Sequence, residues 1–138
     1  MATSIRDAMT SNPKTVTSDQ TVVDAARIMQ QEDTGIVPIV DGDRLVGVIT
    51  DRDITITVVA EGKDPQSTRV TEIASRDLIT IDPQQDLDEA LRLMAQHQVR
   101  RLPVVEEDGK LVGILAQADV AEHADTSKTG ETVERISQ

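Results

Sequence analysis

Apolar residues fall into two kinds of spacing along the chain, and each kind occurs twice. Val22, Ala25, Ala26 and Met29 recur at the three-and-four interval of one helix face, as do Leu87, Ala90, Leu91 and Met94. Each series predicts an amphipathic helix with that face in the core. A start signal precedes both: Thr21-Val-Val-Asp24 and Asp86-Leu-Asp-Glu89 have the form of a capping box. Two short apolar runs follow each helix, Ile36-Val37-Pro38-Ile39-Val40 and Leu45 to Ile49 in the first case. Turn-forming Asp41-Gly42-Asp43 separates these runs, and Glu107-Asp108-Gly109 stands in the same place in the second case. The runs therefore predict hairpins, and their lack of alternation predicts strands buried on both faces. Beyond Asp53 the pattern is double-edged. Ile54-Thr-Ile-Thr-Val-Val alternates and is β-branched, which favours a strand, whereas Val120-Ala-Glu-His-Ala after Asp119 favours a helix.

The duplication resolves this in favour of two helices. A shift of 65 positions lays Thr15-Val16 on Thr80-Ile81, Gln20 on Gln85, Ala25 on Ala90, Met29 on Met94 and Pro38 on Pro103. After one inserted residue, a shift of 66 lays Leu45-Val46-Gly47-Val48-Ile49 on Leu111-Val112-Gly113-Ile114-Leu115 and Asp53 on Asp119. Each copy reads strand, helix, strand, strand, helix, so the fold class is α/β, built from tandem duplicated β-α-β-β-α units. The predicted organisation is a first repeat over 1–62, a linker over 63–69, a second repeat over 70–124 and a C-terminal tail over 125–138. In the tail, Thr126 to Gly130 reads as a polar hinge and Glu131 to Ile136 as a short helix, either frayed or packed on a partner. With only two copies, neither is expected to be stable alone.

Composition sharpens this mainly by exclusion. The 138 residues contain no Cys, which removes disulfides, thiolate nucleophiles and Cys-based metal sites. They also contain no Phe, Trp or Tyr, so the core is aliphatic and no base can stack on an aromatic platform. Fourteen basic against 25 acidic side chains give a net charge of −11, which repels phosphate backbones and anionic lipid. Nucleic acid and membrane are therefore not expected partners. No apolar stretch approaches a membrane span and the N-terminus lacks the design of a signal peptide, so the expected location is cytoplasmic.

Taken together, the extended strand, the T-V-x-D/E-A helix, the apolar-Pro-apolar-apolar strand and the V-G-x-x-x-x-x-D motif resemble a tandem pair of CBS domains, a Bateman module. The resemblance covers about residues 3–124 and is closest in kind to small stand-alone bacterial proteins of two CBS domains. It implies pseudo-two-fold symmetry, a homodimer, and clefts between the repeats that bind an adenosine-containing metabolite such as AMP, ADP, ATP, NAD or S-adenosylmethionine. No cofactor is required and no catalysis is implied; the adenine nucleotide is a regulatory ligand, and a regulated partner protein is expected.

An adenine nucleotide needs an apolar slot, an acceptor for the ribose diol and donors for phosphate. In relatives the Asp of a Gly-x-x-Ser/Thr-x-x-Asp motif accepts the ribose hydroxyls, and the matching residues here are Asp53 and Asp119. The first copy has the whole motif, Gly47-Val-Ile-Thr50-Asp-Arg52-Asp53. Thr50-x-x-Asp53 is equally a capping box, and a capped helix start is itself a place for an anion, so both roles stand open. The second copy replaces the hydroxyl with Ala116 and Arg52 with Ala118, but carries Arg100-Arg101 before Leu102-Pro103, where the first has Gly35-Ile36 before Val37-Pro38. Arg suits phosphate by its planar fork of donors, and at most one of two adjacent strand residues faces a given cleft. Solvated surface arginines are the competing reading. Without aromatics, the base would lie between Ile36, Val37 and Ile49, or between Leu102 and Leu115.

Other constellations are thin. His97 and His123 stand 26 residues apart without Cys, too little for zinc unless carboxylates complete the set. There is no phosphate-binding P-loop and no nucleophile motif. The sequence thus points to a ligand-sensing module; the alternative is a structural dimerisation or adaptor protein with vestigial clefts.

Overall fold

The computed structural model describes residues 4–75 and 78–123, with the side chain of His123 left aside. The tail over 125–138, with its expected hinge and short helix, lies outside the described residues. The chain forms two units. Among the described residues, the first unit is made of Pro13–Leu78 with Gly109–Leu111, and the second of 4–12, Ile79–Asp108 and 112–123.

In the first unit, β2 (Val16–Thr17) pairs parallel with β3 (Ile36–Asp41), which pairs antiparallel with β4 (Arg44–Thr50). The sheet order is β2-β3-β4. Gly42, at φ 65°, supplies the left-handed residue that the tight turn between β3 and β4 demands. α2 (Val22–Glu32) packs on this sheet. Its start is tied by the Asp24 carboxylate, which accepts from Thr21 N–H at 3.2 Å. Val22 and Ala25 are buried, but Ala26 is exposed and Met29 only half-buried, so the buried stripe is narrower than the spacing predicts. β3 is buried from Ile36 through Val40, as its continuous apolar run requires. The core joins Val16, Val22, Val37, Ile39, Ile49 and Val58.

The run after Asp53 is helical. α3 (Asp51–Asp53) passes into a π-helical stretch, Ile54–Val59, in which Ala60 N–H reaches back five residues to Thr55 O at 3.0 Å. Beyond it Gly62 adopts φ 69°.

The second unit repeats the design: α5 (Leu87–His97), β5 (Arg101–Val105), β6 (Leu111–Ala116) and α6 (Gln117–His123). Asp86 caps α5 by accepting from Glu89 N–H at 2.9 Å. The counterpart of β2 shrinks to one parallel bridge between Ile81 and Val104. Leu87, Ala90, Met94, Leu102, Val104, Leu115 and Val120 form the core.

Two features have no warning in the sequence pattern. α1 (Ile5–Ala8) and β1 (Thr10–Ser11) belong to the second unit: Ile5 and Ala8 enter its core and β1 pairs antiparallel with β6. Reciprocally, α4 (Val70–Ile73) inserts Val70 and Ile73 into the core of the first unit, and Ser75 bridges Val48. The start of each repeat thus completes the unit that carries the body of the other.

Candidate functional site

In the first unit, most of the expected ligand residues gather where β3 begins and β4 ends. Ile36 pairs with Thr50 across the hairpin, and Asp51 N–H donates to Gly35 O at 3.0 Å. Gly35, Ile36, Thr50 and Asp53 therefore share one edge, with Arg52 exposed beside them. Pro38 lies two residues further in, opposite Val48, and is buried.

Thr50 and Asp53 close on each other. Thr50 N–H donates to Asp53 Oδ2 at 2.9 Å, and Asp53 N–H donates to Thr50 Oγ1 at 3.1 Å. This is a complete capping box. Both side chains are half-buried, and neither the hydroxyl proton of Thr50 nor Asp53 Oδ1 has a hydrogen-bond partner among the described residues. Each residue keeps one polar function to offer a ligand while holding the helix start.

Asp51 is the residue that motif reasoning passes over. Its carboxylate lies against Gly35, where an ideal Cβ would be 3.0 Å from Oδ2, and Oδ1 accepts from Arg52 N–H at 2.8 Å. The edge of the first unit therefore carries two carboxylates and one arginine. A clue was available: the glycine at 35 leaves room for an acid 16 positions on, where the other copy has Arg100 and Gln117.

The second unit holds the equivalent edge by the same link, since Gln117 N–H donates to Arg100 O at 2.8 Å. Arg100 and Arg101 are exposed, and neither enters an ion pair among the described residues. Asp119 is half-buried on α6, two residues beyond Gln117, and Ala116 offers no hydroxyl. Charge at this edge is reversed relative to the first: two guanidinium groups and a neutral amide replace a glycine, an isoleucine and an acid.

The expected walls for the base need correction. Val37, Ile49, Leu102 and Leu115 show no exposed surface and belong to the two cores. Leu102 can present only its backbone to a ligand, and Pro103 beside it is buried. Apolar runs look the same whether they fill a core or line a slot. The accessible aliphatic surface nearby is that of Val48 and Ile114, both half-buried, and the rim of Ile36.

Comparison with known proteins agrees with this architecture. The family model described as CBS domain matches residues 5–59 and again 70–125. CBS domain-containing protein YhcV of Bacillus subtilis is 44% identical over 118 residues, covering 86% of this chain and 83% of the relative. The crystal structure of Hypoxic Response Protein I with two coordinated zinc ions superposes with a TM-score of 0.82 at 40% identity, covering 89% of this chain and 100% of that one. The CBS domain pair of protein MJ0100, in complex with 5'-methylthioadenosine and S-adenosyl-L-methionine, gives a TM-score of 0.78 at 28% identity, covering 88% and 95%.

Proposed function

The chain belongs to the CBS-domain family and carries the domain twice, and from that premise we propose that it is a regulatory module sensing an adenosine-containing small molecule. The observation that carries the reading is the shared edge. One backbone link, Asp51 to Gly35 and Gln117 to Arg100, holds a half-buried Asp beside the start of a helix in both units. Asp53 and Asp119 accept the ribose hydroxyls, and the exposed Arg100 and Arg101 donate to phosphate. In the first unit Gly35 and the rim of Ile36 border the base, with Thr50 and Arg52 completing the edge; in the second Leu102 contributes backbone, and the buried Pro38 and Pro103 back the strands behind these residues. The complex of the MJ0100 CBS pair supports an adenosyl ligand.

The charge reversal divides the labour. The carboxylate-rich first edge suits a nucleoside or a cationic adenosyl compound such as S-adenosylmethionine, and the arginine-bearing second edge suits AMP or ADP. Zinc is not carried over from the relative that holds it: Cys is absent from the sequence, and no three of His, Asp and Glu gather among the described residues.

The module acts as a cytoplasmic homodimer on a regulated protein, with no catalysis of its own. Supporting dimerisation, Val59 is 69% and Ile56 47% exposed on the π-helical stretch. Beside them opens an apolar groove of about 630 Å³ between α2 and that stretch. Exposed apolar surface of this kind marks interaction sites. One observation favours the structural alternative: Thr50 and Asp53 already satisfy each other, and Ala116 has lost the hydroxyl.

Calorimetry with AMP, ADP, ATP, NAD and S-adenosylmethionine separates the two. Sensing predicts saturable binding of at least one compound, weakened by Asp53→Asn or Asp119→Asn, and for phosphorylated ligands by the Arg100→Ala, Arg101→Ala double variant. Asp53→Asn keeps an acceptor for the cap, so lost binding with an unchanged melting temperature isolates the ligand role. Silence of every compound at millimolar concentration would favour the adaptor. Light scattering with refractive-index detection, which needs no aromatic chromophore, tests the dimer; Val59→Asp is expected to return it to monomer.

A further inference from the structure

Because the chain is duplicated, each unit serves as a control for the other. In the second unit Arg6 of α1 forms an ion pair with Glu106, just past β5, with Nη2 3.9 Å from Oε1. Met9 fills the adjoining space so closely that a Cβ on Gly113 would lie 2.5 Å from its Sδ. The equivalent residues of the first unit are Thr71, Asp41, Ala74 and Gly47. The carboxylate is kept, while the guanidinium that pairs with it and the thioether that fills the neighbouring space are both cut back.

What remains there is a cavity of about 270 Å³, walled by Ile39, Val46 and Ala74 and provided with Ser18, Thr71 and Asp41 as polar groups. Asp41 Oδ1 accepts from Ser18 Oγ at 2.7 Å, and Asp41 forms no ion pair among the described residues. Arg44, its cross-strand neighbour, places its guanidinium against Gly109 instead. The cavity lies at the Asp41 end of the hairpin, whereas the candidate adenosyl edge lies at the Ile36–Thr50 end.

We propose that this cavity binds a small guanidinium compound, its planar cation on Asp41 and a short apolar stem against Val46 and Ala74. The class follows from the sibling unit, where a guanidinium stands against the equivalent carboxylate. The planar fork can engage a carboxylate through two parallel hydrogen bonds, which an ammonium cannot. The volume is below the usual range for drug-sized ligands, which suits a small cation. The net charge of −11 favours approach of a cation. Asp41 is exposed, so the affinity is low, on the order of 1–10 mM.

Titration of the full chain with methylguanidinium chloride, followed by amide NMR shifts at constant ionic strength, tests this. Saturable shifts are expected at Ser18, Asp41 and Thr71, with none from neutral methylurea. Asp41→Asn should weaken binding roughly tenfold or more, the loss of a charged hydrogen bond. Thr71→Arg restores the sibling's own guanidinium and should abolish binding while preserving the rest of the spectrum. That variant decides the matter if Asp41→Asn misfolds. Linear shifts spread over the acidic surface, equal response to methylurea, or undiminished binding in Thr71→Arg would each overturn the proposal.

Discussion

At Gly113 a side chain has nowhere to go. An added Cβ would lie 2.8 Å from Thr10 O as well as 2.5 Å from Met9 Sδ, and the first of these is backbone that cannot swing aside. Gly113→Ala is expected to cost about 1–3 kcal/mol, the range for overpacking. Gly47→Ala, whose Cβ meets Ser75 O at 3.3 Å, should cost less, and Gly35→Ala least, because the exposed Asp51 carboxylate can rotate away. Thermal melts of the three variants check the order. Acid titration offers a second measurement. Arg92 donates to Glu89 through Nε at 3.0 Å and Nη2 at 2.6 Å, and these hydrogen bonds, then the charge, hold the Glu89 carboxyl below its ordinary value. The pair's contribution is thus intact at neutral pH and is lost as pH falls through the lowered value in the folded state. Side-chain carboxyl NMR should show Glu89 titrating below an ordinary glutamate, and Arg92→Ala should return it to normal. Caps such as Thr50 with Asp53 were legible because spacing alone defines them. The fate of Val37 and Leu102 was not, because burial depends on what packs above a residue and not on its neighbours in sequence.

Among the elements, the stretch after Asp53 shows why local propensity misleads. Its β-branched residues crowd an α-helix, and Thr55 Oγ1 donates to Asp51 O at 3.0 Å, competing with the regular ladder. The outcome is neither strand nor ideal helix but a widened π turn, which seats Val58 in the core and leaves Ile56 and Val59 outward. Only comparison with the other copy made the helix legible. Both long helices end in a left-handed residue that is not glycine, Asp33 at φ 51° and Gln98 at φ 55°. Gln98→Gly should therefore raise stability by roughly 0.5–1 kcal/mol, the strain outweighing the entropy of the freer unfolded chain. Denaturant melts of the single variant suffice to check it. The four-residue helices α1 and α4 escaped sequence reading because one turn contains too few apolar positions to show a period.

Across the whole molecule, the repeat seen in sequence and the unit seen in space are not the same object. The repeats predicted two similar bodies, and two are present, but each takes a short helix from the start of the other repeat. Sequence similarity locates copies and is blind to which copy a short segment packs on. Ile5 has no exposed surface in the second unit's core, so Ile5→Ala should cost about 2–5 kcal/mol, the range for emptying a buried aliphatic site. A chain starting at Pro13 should lose dispersed NMR signals from Leu87 to Val120 first. Retention of those signals at the original melting temperature would contradict the exchange.

That exchange also sets an order of events during synthesis. The first unit needs nothing before Pro13 and can close once the chain through α4 has left the ribosome, needing only Gly109–Leu111 to complete it. The second cannot close so early. Ile5 is made well before its core partners, since Leu102, Leu115 and Val120 follow about 100 residues later. At ordinary translation rates that is a wait on the order of ten seconds. During it the apolar turn around Ile5 stands without its core while the first unit can already have folded, and the contacts of Ile5 with Leu115 and Val120 form late.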